Sequence, residues 1–312
     1  MCSSDLTAVA TALMGGTKDQ IMNAVSNAWL DGHPLRTYRH APNTGSRKSW
    51  AAGDAAARAV QLSLMVLKGE MGYPSAISAK KWGLSDVVFK SQPIVLNRPL
   101  DSYVMDHILF KIAYPAEFHA QTAVESGIKL HHQIKDNLNN IESITVHTHE
   151  AAIRIIDKQG PLNNPADRDH CMQYMLAVAL LKGSLTADDY EDSAAANPDI
   201  DRMRGLMTLV EDESYTADYF DPEKRAIPNR VEVKVKGESG SFLETCLYPI
   251  GHPRRREEGV PKLIEKFNAN MDKMFSDTEI KQQLDYYLNW QTLADLSVAD
   301  YMKMLKGAGH DR

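Results

Sequence analysis

Apolar residues recur at three- and four-residue spacing from Thr7 to Gly32, which predicts helical structure interrupted at Gly15-Gly16 and stopped at Gly32. A polar, basic turn follows. From Trp50 to Leu67 the chain is alanine-rich with apolar residues on most faces, which predicts a buried helix packed closely on its neighbours and ending at Gly69. Gly72 to Gly83 reads as a short helix between turns and Asp86 to Lys90 as a brief strand. Helical spacing returns from Ala116 to Asn137. Ile144, Val146 and Thr148 then alternate with polar positions across Ile141 to His149, the pattern of a half-buried strand, and His147 and His149 read as exposed residues of that strand. Two helical stretches, Asp167 to Lys182 and Thr186 to Asn197, precede a second alternation at Val231, Val233 and Val235. The turn at Gly237 to Gly240 and the apolar run after it make this a β-hairpin. Amphipathic helices close the chain from Pro261 to Phe275 and from Asp277 to Ala294, and the last residues, KGAGHDR, read as frayed. The order predicts a multi-domain, mainly α fold with an α+β part in the middle.

Composition narrows the function. A chain of 312 residues, 43% hydrophobic and 24% charged, lies in the globular range and is long enough for two domains. Its net charge of -6 opposes nucleic acids and anionic membrane surfaces, so no nucleic-acid or membrane partner is expected and any anion binding must be local. Cysteine occurs only at 2, 171 and 246, without close spacing. That argues against a disulfide framework and against a cysteine-held zinc or iron-sulfur site, and Cys171 reads as a small buried hydrophobe. His147 and His149 lack a carboxylate at matching spacing, so no metal site is expected. No apolar run approaches the length of a membrane-spanning helix, and the N-terminus lacks the pattern of a secretory signal.

Against that background, RTYRHAPNTGSRKSWAAGDAAARA gathers Arg36, Arg39, Arg47, Lys48 and Arg58 around one turn. Lys48 stands where the buried helix is expected to begin. An ammonium combined with free backbone N–H groups suits a carboxylate. Arg39 and Arg47 offer bidentate donors, although Arg39 serves equally well as a brace for the HAPNTG turn. Tyr174 lies in the apolar run DHCMQYMLAVALL, where its hydroxyl needs a partner; His170, one turn earlier, and the backbone are both candidates. In GHPRRREE, Arg254, Arg255 and Arg256 either pair with Glu257 and Glu258 at the surface or bind an anion.

The segment from Arg36 to Gly83, with ILFKIAYPAEFHAQTAVE, KQGPLNNPADRDHCMQYMLAVALLKG and YPIGHPRRREEGVPKLIEKF after it in the same order, resembles the MmgE/PrpD family, in particular its 2-methylcitrate dehydratase branch. The resemblance runs from about Thr7 onward, and the opening MCSSDL lies outside it. It implies a hydro-lyase that converts 2-methylcitrate to 2-methyl-cis-aconitate in propionate breakdown, with no cofactor and no iron-sulfur cluster. It implies a pocket containing Lys48, Lys111 and Tyr174, with His119 close by, as catalytic residues. Arg39, Arg47, Arg254 and Arg255 are then the candidates for binding a small tricarboxylate. It further implies a homodimer, a cytoplasmic location (mitochondrial matrix in a eukaryote), and a helical domain (7–105, returning at 253–306) with an inserted α+β lid (106–252). The pocket is expected where the two domains meet. Members of the family carry a further helical portion upstream, so the chain is expected to be a C-terminal fragment. Two alternatives stay open: cis-aconitate decarboxylation, known in another branch, and a non-catalytic anion-binding or scaffold protein.

Overall fold

The computed structural model describes residues 2–30, 35, 37–40, 44–96, 99, 101 and 108–306. Arg36, the Ala41 to Asn43 part of the basic turn, the expected domain boundary at 105–106 and the tail beyond Lys306 lie outside them. The described chain is mainly α-helical with one four-stranded mixed sheet. It divides into two compact units: Met1–His107 with Lys158–Cys171 and Tyr190–Ala196, and Ile108–Asp157 with Met172–Asp189 and Asn197–Arg312.

In the first unit the helices Cys2–Leu13, Lys18–Leu30 and Arg47–Leu67 pack on one another. Small residues make the close approach possible: Ala24, Ala28 and Ala59 are buried, and the Thr11 and Ser63 hydroxyls meet at 2.8 Å. Each hydroxyl also lies within hydrogen-bond distance of a carbonyl of its own helix, Thr11 of Thr7 and Ser63 of Ala59, so the polar atoms find partners where the helices touch. The expectation that Trp50 to Leu67 is buried on most faces is corrected. Only Ala59, Ser63 and Val66 of that helix are buried, whereas Trp50, Val60, Leu64 and Met65 are exposed. The small side chains form one packing stripe, and the large apolar ones lie off it.

The segment Gly72 to Gly83 also departs from expectation, forming successive turns instead of a helix, and the helix Leu84–Val87 replaces the strand expected at Asp86 to Lys90. Asp86 explains the change. Its carboxylate accepts from the Lys81 backbone N–H (2.6 Å) and the Ser91 hydroxyl (2.8 Å), closing a loop that an extended strand cannot make.

The second unit is built on the sheet β2-β1-β3-β4, where β1 is Ile141–Thr148, β2 Met207–Glu211, β3 Asn229–Val235 and β4 Ser241–Cys246. The alternation read from sequence sets the register: Ile144 pairs with Val233 and Val146 with Val231 across the antiparallel β1–β3 ladder, all four buried. β3 and β4 form the expected hairpin. β2, parallel to β1, is short and only Met207 in it is buried, which is why no alternation announced it. The helix Gln121–Ile134 packs on β3 and β4 and also against the helix Met172–Lys182, which is buried from Met172 to Leu180. Gly127 allows that contact, since a Cβ there would stand 2.6 Å from Leu176 Cδ1.

Two expected helices are broken. Asp167 to Lys182 is divided into Pro165–Arg168 and Met172–Lys182, and Thr186 to Asn197 into a 3-10 turn, Ala187–Tyr190, and a helix, Asp192–Ala195. The C-terminal helices Arg256–Met271, Asp277–Leu288, Trp290–Ala294 and Val298–Met304 belong to the second unit. Among the described residues no helix is long and apolar enough to cross a membrane.

Candidate functional site

In the first unit, Ser46 precedes the helix Arg47–Leu67 and so places Lys48 in its first turn. The Lys48 ammonium donates to Asp169 Oδ2 at 3.0 Å and lies 3.1 Å from His170 Nδ1, while His170 Nδ1 lies 2.7 Å from Asp169 Oδ1. Burial pushes the Asp169 carboxyl upward, but the His170 hydrogen bond and the charges of His170 and Lys48 hold it below the ordinary carboxylate value. The backbone carrying this pair is firmly tied. Asn164 caps the helix Pro165–Arg168 through the Asp167 N–H, and the Arg168 guanidinium donates to the Tyr190 carbonyl and to Asp192. Lys158, buried, donates to the Thr44 hydroxyl at 2.5 Å. Burial, with help from Lys48, holds its ammonium below the usual lysine range despite Asp167, Cys171 and Asp169. Two arginines of the basic segment have local partners: Arg39 Nε donates to the Tyr38 hydroxyl (3.3 Å), and Arg47 pairs with Asp54 (2.6 Å) while lying over the Trp50 ring.

In the second unit, His119 belongs to the 3-10 turn Phe118–Ala120, which Glu117 caps by accepting its backbone N–H at 2.7 Å. Glu117 also holds the imidazole: both carboxylate oxygens lie 2.9 Å from Nδ1, while Nε2 is 3.2 Å from the Tyr219 hydroxyl. Asn229 donates to the His119 carbonyl and to Thr122, fixing this turn against the start of β3. His149 stacks on Tyr219 with centroids 4.4 Å apart, and its ring lies 5.2 Å from that of His119. The expectation of an exposed strand residue fails here, because His149 follows β1, precedes the helix Glu150–Ile156 and is fully buried. Neither of its ring nitrogens has a hydrogen-bond partner among the described residues, and burial, then the neighbouring His119, pushes its pKa down to about 3.

Tyr174, buried in the helix Met172–Lys182, donates to the Asp189 carbonyl at 2.6 Å, so of the partners considered for it the structure supplies the backbone. Lys111 is exposed, and its carbonyl accepts from Lys266 at 3.4 Å. Arg254 donates to the Tyr248 hydroxyl (2.7 Å) and the Glu223 carbonyl. Arg255 is engaged inside the unit: it binds Glu125 through two nitrogens (2.8 and 3.0 Å), Glu258 (2.7 Å) and the Tyr248 carbonyl (2.7 Å). Cys246 lies beside Glu125, and burial first, then that carboxylate, pushes its thiol up to about 12; Cys171 is buried as expected. Among the described residues no group of three His, Cys, Asp or Glu side chains could hold a metal ion.

Each unit therefore contains a carboxylate–imidazole pair, Asp169–His170 in the first and Glu117–His119 in the second. Sequence reasoning found one imidazole of the two. Asp169, Glu117 and Tyr219 escaped it, and it offers His170 only as a partner for Tyr174. The adjacent acid and histidine in ADRDH and the E-x-H spacing in PAEFHA were the signals available.

Comparison with known proteins agrees over nearly the whole chain. The MmgE/PrpD C-terminal domain matches residues 114–292 and the MmgE/PrpD N-terminal domain matches residues 5–97. A 2-methylcitrate dehydratase of Salmonella typhimurium (strain LT2) is 54% identical over 301 residues, covering 96% of this chain and 62% of that protein. Its Escherichia coli (strain K12) counterpart is 52% identical over 302 residues with the same coverage, and a mitochondrial 2-methylcitrate dehydratase of Yarrowia lipolytica is 48% identical over 303 residues, 96% of this chain and 58% of that protein. The chain thus spans about three-fifths of the length of these curated relatives.

Proposed function

The chain belongs to the MmgE/PrpD family, and from that premise we propose that it dehydrates 2-methylcitrate to 2-methyl-cis-aconitate. The observation that carries the reading is 54% identity across 301 residues to a protein named 2-methylcitrate dehydratase. In this reaction a proton leaves a carbon beside a carboxylate while hydroxide departs from the next carbon. Hydroxide leaves poorly. A general acid must protonate it, a general base must take the carbon-bound proton, and fixed cations must hold the carboxylates and the enolate-like charge.

We assign Lys48 of the first unit and Lys111, His119 and Tyr174 of the second to this chemistry. Lys48 supplies a positive charge at a helix N-terminus. The Glu117–His119 pair supplies an oriented imidazole, and Tyr174 is a candidate proton donor. Arg39, Arg47 and Arg254 are assigned to substrate carboxylates. Arg255, with its contacts to Glu125 and Glu258, supports the segment that carries Arg254. The finer architecture, a helical body with an α+β lid beginning near residue 106, belongs to this proposal, since closure would exclude water. So do a homodimer and a cytoplasmic location.

The test is incubation with 2-methylcitrate and, separately, cis-aconitate, following the conjugated product by absorbance and carbon dioxide release in parallel. Product from 2-methylcitrate, undiminished by a chelator, is expected. Carbon dioxide from cis-aconitate without dehydration of 2-methylcitrate would replace the proposal with the decarboxylase reading.

A further inference from the structure

The contacts around Lys48 select one tautomer of the neutral His170 ring. His170 Nδ1 lies 2.7 Å from a carboxylate oxygen of Asp169 and 3.1 Å from the Lys48 ammonium. A single ring nitrogen either carries a proton or offers a lone pair, and it cannot serve both neighbours. An ionised carboxylate only accepts and an ammonium only donates. A bare Nδ1 would accept from Lys48 but would face Asp169 Oδ1 lone pair to lone pair at 2.7 Å. A protonated Nδ1 donates to that oxygen at the length of a charge-assisted bond, while Lys48 is satisfied by Asp169 Oδ2 at 3.0 Å. The carboxyl is held below its ordinary range, so the shared proton does not reside on Asp169. Nδ1–H follows, and whenever the ring is neutral Nε2 carries the lone pair. That nitrogen makes no hydrogen bond among the described residues and is not among the buried unpartnered atoms.

We infer that His170 Nε2 is the proton acceptor of the dehydration, with Asp169 the positioning residue that fixes its tautomer and Lys48 the cation paired with Asp169 Oδ2. The assignment rests on the function proposed above and goes beyond it by naming a base. Nε2 takes the proton from the carbon next to the carboxylate. The electron pair of that C–H bond forms the carbon–carbon double bond as the adjacent C–O bond breaks, and the general acid converts the departing hydroxide to water. Imidazolium then releases its proton to solvent and the acid regains one, so the net change is loss of water. The short backbone between the helix Pro165–Arg168 and Cys171 keeps the pair in place, through His170 N–H to the Asp167 carbonyl (3.3 Å) and Cys171 N–H to the Arg168 carbonyl (3.2 Å).

The decisive experiment combines ring nitrogen-15 NMR of His170 in its neutral form with turnover and substrate binding, on the unaltered chain and on His170→Gln, His170→Ala and Asp169→Asn. The spectrum is expected to show Nδ1 protonated, and Asp169→Asn is expected to abolish that preference. His170→Gln is expected to lose about 100-fold or more in turnover with 2-methylcitrate binding changed less than about threefold, and added imidazole should restore part of the turnover of His170→Ala. A proton on Nε2 overturns the inference whatever the activity. So does turnover by His170→Gln within about threefold of the unaltered chain. If the unaltered chain forms no product, the proposed dehydration fails on its own account, and the ring spectrum alone supports or overturns the tautomer.

Discussion

His149 and Arg255 show two fates of a polar group inside this protein. His149 is buried with both nitrogens unpartnered, so its neutral form is the folded one, whereas an unfolded chain takes up a proton as pH falls below about 6.5. Stability is therefore lost as pH drops from there towards the folded value of about 3, by at most about 1.4 kcal/mol per pH unit. His149→Phe, which keeps a ring against Tyr219, should flatten this acid limb of the unfolding midpoint while changing the midpoint at pH 7 little. Arg255 is half-buried with its donors matched by Glu125, Glu258 and a carbonyl. Arg255→Met leaves the buried Glu125 with Lys129 as its one cation partner among the described residues and is expected to cost about 3 kcal/mol in urea denaturation at neutral pH. At this scale the sequence was half legible. Lys48 stands out by residue type and place, but Asp169 is 121 positions away, and no spacing rule connects two residues so distant. His149 was misread because alternation was carried one residue past the end of β1, where the chain turns into a helix.

Elements followed the pattern wherever one face of them is buried. β1 and β3 read correctly because Ile144, Val146, Val231 and Val233 alternate on a covered face. The helix of Trp50 to Leu67 was recognised, but its burial was overestimated, since alanine content signals close approach without saying on how many sides. Asp86 and the turn it closes outweighed the β-branched run Val87-Val88. Gly251 marks a junction the sequence did not flag. At φ +103°, a Cβ there would sit 2.3 Å from the Phe110 carbonyl oxygen, just before the His252-capped turn that leads to Arg254 and Arg255. Gly251→Ala should therefore lower stability by about 2–3 kcal/mol, read as a lower thermal midpoint, with the Arg255 contacts loosened in hydrogen exchange.

For the whole molecule, family membership explains why so many local readings agree in one order along the chain, and each unit holds one carboxylate–imidazole pair on which the proposed acid–base chemistry can be put to the test. What unites the functional reading is a lysine ammonium at the start of a helix, in a protein of net negative charge, held beside an aspartate and a histidine. The most direct measurement is kcat/KM for 2-methylcitrate with the unaltered chain and with Lys48→Met. The unaltered chain should form the conjugated product and Lys48→Met should be slower by about 100-fold or more. Equal rates for the two, or no product from the unaltered chain, would contradict the account.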